Sequence, residues 1–214
     1  MWHVASVIVS MYMSREVVTV TSDTTIKEAV EKMGSSRIRR LVVVDDGRLC
    51  GILCHRDVTG SSKTSSTGAP LPRSSPVGMI MKTGIVKIDQ NKPIEQAACL
   101  MTRYHIGGLP VISNGRLSGI ITESDIFRAF TALLSGDEES VRITFDVTDG
   151  EGVLPFLYEQ CQNLSLELAS FVTFKDAERS FAVSQIRGAR TAELIDALCD
   201  SGHAVVNVLT GDEQ

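Results

Sequence analysis

The stretch Gly119-Ile120-Ile121-Thr122-Glu123-Ser124-Asp125 decides the fold, because it has the pattern of a buried strand that runs directly into the start of a helix. A helix start carries unpaired backbone N–H groups and the positive end of the helix dipole, which together favour anions. Thr122 adds a hydroxyl, and Asp125 adds an acceptor that can hold vicinal sugar hydroxyls. This combination suits the phosphate and ribose of a nucleotide. The same spacing also fits a capping box, which only begins a helix and is the more common role of such a pair.

The chain contains a second copy of this stretch, Gly51-Ile52-Leu53-Cys54-His55-Arg56-Asp57. The match extends over both flanks with one constant spacing and no gap, and about a third of the paired positions are identical. The supporting pairs include Met13 with Met81, Val18 with Val86, Ile26 with Ile94, Met33 with Met101, Leu41 with Leu109, Val43 with Val111 and Asp57 with Asp125. The first part of the chain is therefore an internal duplication.

Each repeat has the pattern strand, helix, strand, strand, followed by a helix start. Thr25 with Glu28 forms a capping box before an apolar helical face, and Asp45-Asp46-Gly47-Arg48 is a hairpin turn signal. The closing helix of the second repeat carries an apolar stripe that is typical of a core or dimer contact. This stripe consists of Ile126, Phe127, Phe130, Leu133 and Leu134.

Composition narrows the class of protein. With 214 residues, 43% hydrophobic and 22% charged, the chain is typical of a globular protein of two or three domains. The net charge of −5 and the low aromatic content argue against a nucleic-acid surface, and no apolar run is long enough for a membrane span. Five scattered cysteines and the lack of an export signal predict reduced thiols and a cytoplasmic location. Cys50, Cys54 and His55 have no standard zinc spacing, so no metal site is expected.

A third unit follows the repeats, with the order strand, helix, strand, strand, helix, strand. This order is ferredoxin-like, with an antiparallel sheet and two helices on one face. The predicted fold class is therefore α+β. The predicted domains are repeat one at 1–60, a flexible Ser- and Pro-rich linker at 61–76, repeat two at 77–135 and the third unit at 139–211.

With these residues in hand, the two repeats resemble cystathionine-β-synthase (CBS) domains, which pack as a pseudo-twofold pair often called a Bateman module. The resemblance covers residues 9–134 and is carried by the Leu41-to-Val44 and Leu109-Pro110-Val111 strands and by the Gly-to-Asp endings. It implies that the cleft of the pair binds an adenosine derivative. Carried over to this chain, it implicates Thr122, Ser124 and Asp125 for phosphate and ribose, Thr83, Gly84, Ile85 and Val86 for the base, and Ile106, Gly108 and Pro110 for the wall.

The first repeat departs from the family pattern at its ending. Cys54 stands where Thr122 stands in the second repeat, while Asp57 remains. One interpretation is that this site is degenerate and that a single site around Asp125 works, which is the reading we favour. The other is that basic side chains reach the phosphates of a ligand, since Arg makes bidentate phosphate contacts. The residues concerned are Arg40, His55, Arg56 and Asp57.

The third unit resembles an ACT domain over residues 140–210, through the Asp149-x-x-Gly152-x-Leu154 turn before its first helix. In that family the turn helps to bind amino acids at a dimer interface, so an amino acid is a candidate ligand here. A dimerising unit without any ligand is an equal alternative. A CBS pair followed by an ACT-like unit also resembles acetoin-utilisation accessory proteins.

No catalytic constellation is recognisable, so we expect a non-enzymatic regulator rather than an enzyme. The candidate regulatory ligands are AMP, ADP, ATP, NAD and S-adenosylmethionine, and no obligatory cofactor is expected. The expected partners are a second copy of the chain and a regulated protein, with no nucleic acid and no membrane. The alternative is a dimerising scaffold for protein interactions that binds no small ligand.

Overall fold

The computed structural model describes residues 7–59, 71–134, 140–148 and 152–210. The chain divides into two compact units, Met1–Ala129 and Phe130–Gln214. The first unit contains both repeats and is called the repeat pair below. The second is called the C-terminal unit. The finer domain boundaries expected from the sequence stay predictions.

The first repeat forms a three-stranded sheet covered by a helix. Its elements are α1 (Val9–Tyr12), β1 (Thr19–Val20), α2 (Ile26–Ser35), β2 (Arg40–Asp45), β3 (Arg48–Cys54) and α3 (His55–Thr59). Strand β1 pairs parallel with β2, which pairs antiparallel with β3. The capping box at α2 is confirmed, because Thr25 Oγ1 accepts from the Glu28 amide and the Glu28 carboxylate accepts from the Thr25 amide. Asp46 and Gly47 both have positive φ in the predicted hairpin turn.

The second repeat has the same architecture. A short 3₁₀ helix (Val77–Met79) precedes β4 (Ile88–Asp89), α4 (Ile94–Tyr104), β5 (Gly108–Ser113), β6 (Arg116–Thr122) and α5 (Glu123–Leu134). The sheet order β4-β5-β6 repeats the order of the first sheet. The hairpin turn again has positive φ at Asn114 and Gly115. The duplication in sequence is therefore a duplication in structure.

The leading segment of each repeat pairs with the other repeat. Ser14 and Ile120 exchange two backbone hydrogen bonds of 2.9 Å, and Lys82 and Ile52 do the same at 2.9 and 3.0 Å. These two bridges occupy equivalent positions of the repeats. Because each leader contributes to the sheet edge of its neighbour, the repeats are interlocked rather than simply adjacent.

The two hydrophobic cores of the repeat pair show the same exchange. Val9 and Met13 from the first leader are buried in the core of the second repeat, beside residues such as Leu109. Val77 and Ile80 from the second leader are buried in the core of the first repeat. Burial of these apolar side chains stabilises the exchanged arrangement.

The C-terminal unit is a four-stranded antiparallel sheet with two helices. Its elements are β7 (Ser140–Asp146), α6 (Val153–Leu164), β8 (Glu167–Asp176), β9 (Arg179–Arg187), α7 (Thr191–Ser201) and β10 (Val205–Thr210). The sheet order is β10-β7-β9-β8. Val141, Ile143 and Phe145 alternate along β7 and are buried with Leu157 of α6 and Leu194 of α7. The order of strands and helices is the one expected from the sequence.

Part of the predicted linker belongs to the first repeat. Residues 61–70 lie outside the described residues, but the Arg73 and Ser75 carbonyls accept hydrogen bonds of 2.9 Å from Lys27 and Ile26 at the start of α2. Helix starts leave such N–H groups unpaired, and this segment pairs them. Residues 73–76 of the expected linker therefore contact the first repeat, and the boundaries of the linker stay a prediction. Residues 135–139, which precede the C-terminal unit, and residues 149–151 of the ACT-like turn also lie outside the described residues.

No helix in the described ranges is long and apolar enough to cross a membrane. No group of His, Cys, Asp or Glu side chains in those ranges could hold a metal ion. All five cysteines are free thiols.

Candidate ligand-binding site

The junction between β6 and α5 holds Asp125 in a fixed orientation. Its Oδ2 accepts hydrogen bonds from the Thr122 amide at 2.8 Å and the Thr122 hydroxyl at 2.7 Å. Its Oδ1 accepts from the Arg128 guanidinium at 2.8 Å, and Arg128 also donates to the Tyr12 carbonyl. The Asp125 side chain is only 7% exposed, so these three bonds compensate the burial of a charge. The capping role predicted for the Thr122–Asp125 pair is thus present.

Asp125 also lines a cavity of about 330 Å³, called here the Asp125 pocket. The start of α5 contributes Thr122, Glu123 and Ser124 to its wall. The other lining residues are Ser14, Glu16, Val17, Val18, Arg37, Ile38, Arg39, Arg40, Gly107 and Ile120. The pocket therefore combines a hydroxyl, a preoriented carboxylate, apolar side chains and guanidinium groups in the cleft of the repeat pair.

The residues expected to contact a base beside Asp125 are not in this pocket. Residues 83–86 do not line it. Three residues that follow the leading segment of the first repeat line it instead, namely Glu16, Val17 and Val18. The physical reason is the exchanged pairing of Ser14 with Ile120, which carries the residues after Ser14 to the end of β6. The structure does not bring Thr83, Gly84, Ile85 and Val86 to the Asp125 pocket, and their contact with a base stays a prediction. The sequence did contain a signal, because Glu16 to Val18 are the repeat equivalents of Gly84 to Val86.

A second cavity of about 300 Å³ lies at the equivalent ending of the first repeat and is called the Cys54 pocket. Its lining residues are Arg39, Arg40, Ile52, Cys54, His55, Arg56, Lys82, Ile106, Gly107 and Gly108. Asp57 accepts a hydrogen bond of 2.8 Å from the Cys54 amide, as Asp125 does from Thr122. Its Oδ1 lies 3.7 Å from the Lys82 ammonium. The structure thus brings Arg40, His55 and Arg56 to one cavity, and Asp57 contacts two of its lining residues, Cys54 and Lys82.

The thiol of Cys54 differs chemically from the hydroxyl of Thr122. Burial raises the pKa of Cys54, and the nearby negative charge of Asp57 raises it further. The thiol therefore stays protonated at neutral pH. It is a weaker hydrogen-bond donor than a hydroxyl.

The other predicted wall residues divide between the pockets and the core. Ile106 and Gly108 line the Cys54 pocket. Pro110 is buried on β5 opposite Ile120 and lines neither pocket. Val86 packs against the core of the second repeat. Gly107, in the same Ile106-to-Pro110 segment, lines both pockets.

A third cavity, of about 500 Å³, lies between α4 and α5. Ala98, Met101 and Ile126 give it apolar walls, and His105 and Arg56 lie among the polar lining residues. From the predicted apolar stripe of α5, Ile126 is buried, whereas Phe127 is 70% and Phe130 40% exposed. These exposed aromatic side chains agree with a contact surface more than with a core.

The C-terminal unit has its own cavity of about 420 Å³, lined by Asp146, Thr148, Arg179 and His203 among others. Hydrogen bonds from Thr148 and Arg179 lower the pKa of Asp146 to about 2. Arg179 donates to Asp146 through Nε at 3.1 Å and also through its terminal nitrogen. Asp146, Thr148 and Arg179 therefore already satisfy one another in this cavity.

Comparison with known proteins covers the repeat pair. The family model of the CBS domain matches residues 8–62 and 77–132, which is just over half of the chain. A CBS domain-containing protein from Dictyostelium discoideum is 37% identical over 133 residues, or 56% of this chain and 88% of that protein.

Two solved structures agree with this match. The CBS domain pair of protein MJ0100, in complex with 5′-methylthioadenosine and S-adenosyl-L-methionine, is 26% identical with a TM-score of 0.52, over 59% of this chain and 98% of that one. A protein from Vibrio cholerae described as a candidate acetoin utilization protein is 28% identical with a TM-score of 0.52, over 60% of this chain and 93% of that one. The chain belongs to the CBS-domain family.

Proposed function

We propose that this protein is a non-enzymatic regulator whose CBS pair binds an adenosyl ligand in the Asp125 pocket. The observation that carries the proposal is the Asp125 carboxylate, which Thr122 and Arg128 hold in place at the wall of a cavity. A carboxylate fixed in this way can accept hydrogen bonds from two ribose hydroxyls without first being ordered.

The remaining walls suit the rest of such a ligand. Val17 and Val18 offer apolar contact for a base, and Ser124 and the α5 start offer polar contact. The complex of protein MJ0100 with 5′-methylthioadenosine and S-adenosyl-L-methionine supports this ligand class. A regulatory effect requires that the ligand binds one arrangement of the protein more tightly than another.

The proposal is tested by calorimetric titration of AMP, ADP, ATP, NAD, S-adenosylmethionine and 5′-methylthioadenosine. We expect at least one of them to bind, and Asp125→Asn to weaken that binding at least tenfold, since the amide replaces an acceptor by a donor. The matched control is Asp57→Asn, which should change the affinity of a ligand without phosphate less than twofold. Far-UV circular dichroism checks that both variants fold. Equal affinity of wild type and Asp125→Asn would contradict the site.

A dimerising scaffold is the second candidate, and the exposed Phe127 and Phe130 of α5 favour it. We propose a homodimer in the cytoplasm that uses this surface. Light scattering at micromolar concentration should give the mass of two chains, and Phe127→Gln should reduce it. A scaffold without a ligand would bind none of the six compounds. A mass of one chain would contradict the proposed homodimer.

We also propose that the C-terminal unit is ferredoxin-like and ACT-like. Its observed order of strands and helices, with the sheet order β10-β7-β9-β8, supports this. An amino acid is then the candidate ligand. Calorimetric titration of the twenty amino acids tests this. If none of them gives a heat signal, the remaining alternative is a dimerising unit without a ligand.

A further inference from the structure

The two leaders of the repeat pair share two kinds of anchor. The first leader (residues 9–14) and the second leader (residues 77–82) are each bridged by backbone hydrogen bonds to a strand of the opposite repeat. Each leader also places a methionine over a glycine of that strand, where an added Cβ would overlap the thioether. These pairs are Met13 with Gly119 and Met81 with Gly51. Both kinds of anchor are therefore duplicated together with the fold.

The first leader has a third anchor, which is the guanidinium of Arg128. Its terminal nitrogen Nη2 donates to the Tyr12 carbonyl and to Asp125 Oδ1, in both cases at 2.8 Å. Tyr12 is the last residue of α1, and the last carbonyl groups of a helix have no partner within it. Arg128 supplies that partner. A single nitrogen thus ties the first leader to the carboxylate of the Asp125 pocket.

The second leader is held differently. The repeat equivalent of Arg128 is Gly60, and a glycine has no side chain that could donate a hydrogen bond. Lys82 of the second leader approaches the Asp57 carboxylate, but the two charged groups are 3.7 Å apart and the Lys82 side chain is 49% exposed. An exposed ion pair of this kind contributes little. The short tie between a leader and a carboxylate therefore belongs to the Asp125 ending.

The position of the first leader also determines one wall of the Asp125 pocket. Ser14, the last residue of the leader, lines the pocket, and so do Val17 and Val18, which follow shortly after it in the chain. A leader that separates from β6 would carry these side chains with it. Arg128 therefore joins two parts of one pocket, namely the Asp125 carboxylate and the wall that continues from the leader.

The Asp125 carboxylate can serve Arg128 and a ligand at the same time. Each carboxylate oxygen has two lone pairs, and Oδ1 accepts one bond, from Arg128, among the described hydrogen bonds. A ligand hydroxyl that donates to Oδ1 can leave the bond from Arg128 in place. Because Arg128 bonds to Tyr12 only while the leader is docked, the docked leader and the bound ligand favour the same orientation of the carboxylate.

We propose that Arg128 is a positioning residue that couples ligand binding at Asp125 to docking of the first leader on the second repeat. The ligand part rests on the proposed function, whereas the tie of Arg128 to the leader does not. A ligand on Asp125 holds the carboxylate and, through Arg128, the Tyr12 carbonyl, so the first leader separates less often. The coupling is reciprocal, so a docked leader also raises the affinity for the ligand. The second leader takes no part in this response.

Hydrogen exchange of the full chain, followed by mass spectrometry, measures the docking of each leader separately. Arg128→Met removes the donor and keeps a long side chain that favours a helix. We expect it to speed exchange of the first leader about fivefold and to leave the second leader unchanged. Arg128→Lys, which keeps the charge and a nitrogen donor, should restore most of the protection. The Arg128 side chain is 61% exposed, so its replacement is compatible with folding.

The matched control is Arg103→Met, which removes an exposed arginine from the last turn of α4. It should change the exchange of neither leader. Equal acceleration of both leaders in Arg128→Met would indicate a general loss of stability and would overturn the proposal. An unchanged first leader in Arg128→Met would overturn it as well.

The coupling is read from the same exchange measurement at saturating 5′-methylthioadenosine. The ligand should slow exchange of the first leader about fivefold in the wild type. In saturated Arg128→Met the slowing should fall to about twofold, because contact of the ligand with Val17 and Val18 is then the remaining link. If Arg128 had only a structural role, the ligand would slow exchange by the same factor in both proteins, and that result would contradict the coupling.

Failure of this proposal can be distinguished from failure of the proposed function. If none of the six adenosyl compounds binds, the proposed function fails and the coupling fails with it, while exchange without ligand still decides whether Arg128 ties the first leader. If 5′-methylthioadenosine binds through Asp125 but Arg128→Met leaves the first leader unchanged, the positioning role of Arg128 is wrong and the proposed function stands.

Discussion

The two endings of the CBS pair share a backbone and differ in the side chains that face the cavities. In both, an aspartate accepts a hydrogen bond of 2.8 Å from the amide three residues before it. The facing residues differ at six equivalent pairs, namely Cys54 and Thr122, His55 and Glu123, Arg56 and Ser124, Arg39 and Gly107, Arg40 and Gly108, and Lys82 and Ser14. The comparison shows that the capping geometry is a property of the duplicated fold, whereas the charge offered to a ligand depends on these few side chains.

The largest difference between the endings should appear in stability. Asp125→Ala removes a side chain that is 7% exposed and leaves the Thr122 amide and Arg128 without their acceptor, so we expect a loss of about 2–3 kcal/mol in the free energy of unfolding. Asp57→Ala removes a side chain that is 16% exposed, with one short bond and a longer ion pair, and should cost about 1 kcal/mol. Urea unfolding followed by circular dichroism measures both. Equal losses would contradict the view that Asp125 is the more strongly fixed carboxylate.

The next difference concerns which leading segment contributes side chains to the Asp125 pocket. Val17→Ala should weaken binding of 5′-methylthioadenosine about fivefold, since Val17 lines the Asp125 pocket and loses apolar contact. The equivalent change Ile85→Ala should leave that affinity unchanged. Titration calorimetry compares the two variants. The reverse result would restore the grouping of residues 83–86 with Asp125.

This exchange marks the limit of what the sequence predicted. The hairpin turn at Asp46 and Gly47 and the capping box at Thr25 were predictable because neighbouring residues form them. The bridge of Ser14 with Ile120 joins residues far apart in the chain through backbone atoms, which carry no signature of residue type. Prediction therefore identified the Asp125 ending and the duplication, but it did not indicate that Glu16, Val17 and Val18 line the Asp125 pocket.

Gly107 illustrates a second limit. Its equivalent in the first repeat is Arg39, so the repeat pattern shows that the two positions differ but does not explain why. The reason lies in the packing of Arg40 and Glu123 over its Cα, which depends on the contact between the repeats. Side-chain packing of this kind follows from the tertiary structure and not from a local pattern.

A smaller effect is expected from exchanging the thiol and the hydroxyl. Thr122→Cys loses the hydrogen bond of 2.7 Å from the hydroxyl to Asp125 and should cost about 1 kcal/mol in the free energy of unfolding. Cys54→Thr offers the corresponding bond to Asp57 and should stabilise the protein by a similar or smaller amount. The same urea unfolding measurement applies. A change of the same sign in both exchanges would show that the endings do not have equivalent geometry.

The smallest expected difference is in thiol reactivity. Burial and Asp57 raise the pKa of Cys54, so a smaller fraction of this thiol is ionised at pH 8 than of an ordinary cysteine. Iodoacetamide should therefore modify Cys54 more slowly than the exposed Cys99. Mass spectrometry of the modified peptides gives both rates. Faster modification of Cys54 than of Cys99 would contradict the raised pKa.

The most direct test of the central claim is a crystal structure of the protein grown with 5′-methylthioadenosine. The account predicts density for the ligand in the Asp125 pocket, with the ribose hydroxyls within hydrogen-bond distance of the Asp125 carboxylate and the base beside Val17 and Val18. Density only in the Cys54 pocket, or a ribose that makes no contact with Asp125, would contradict it.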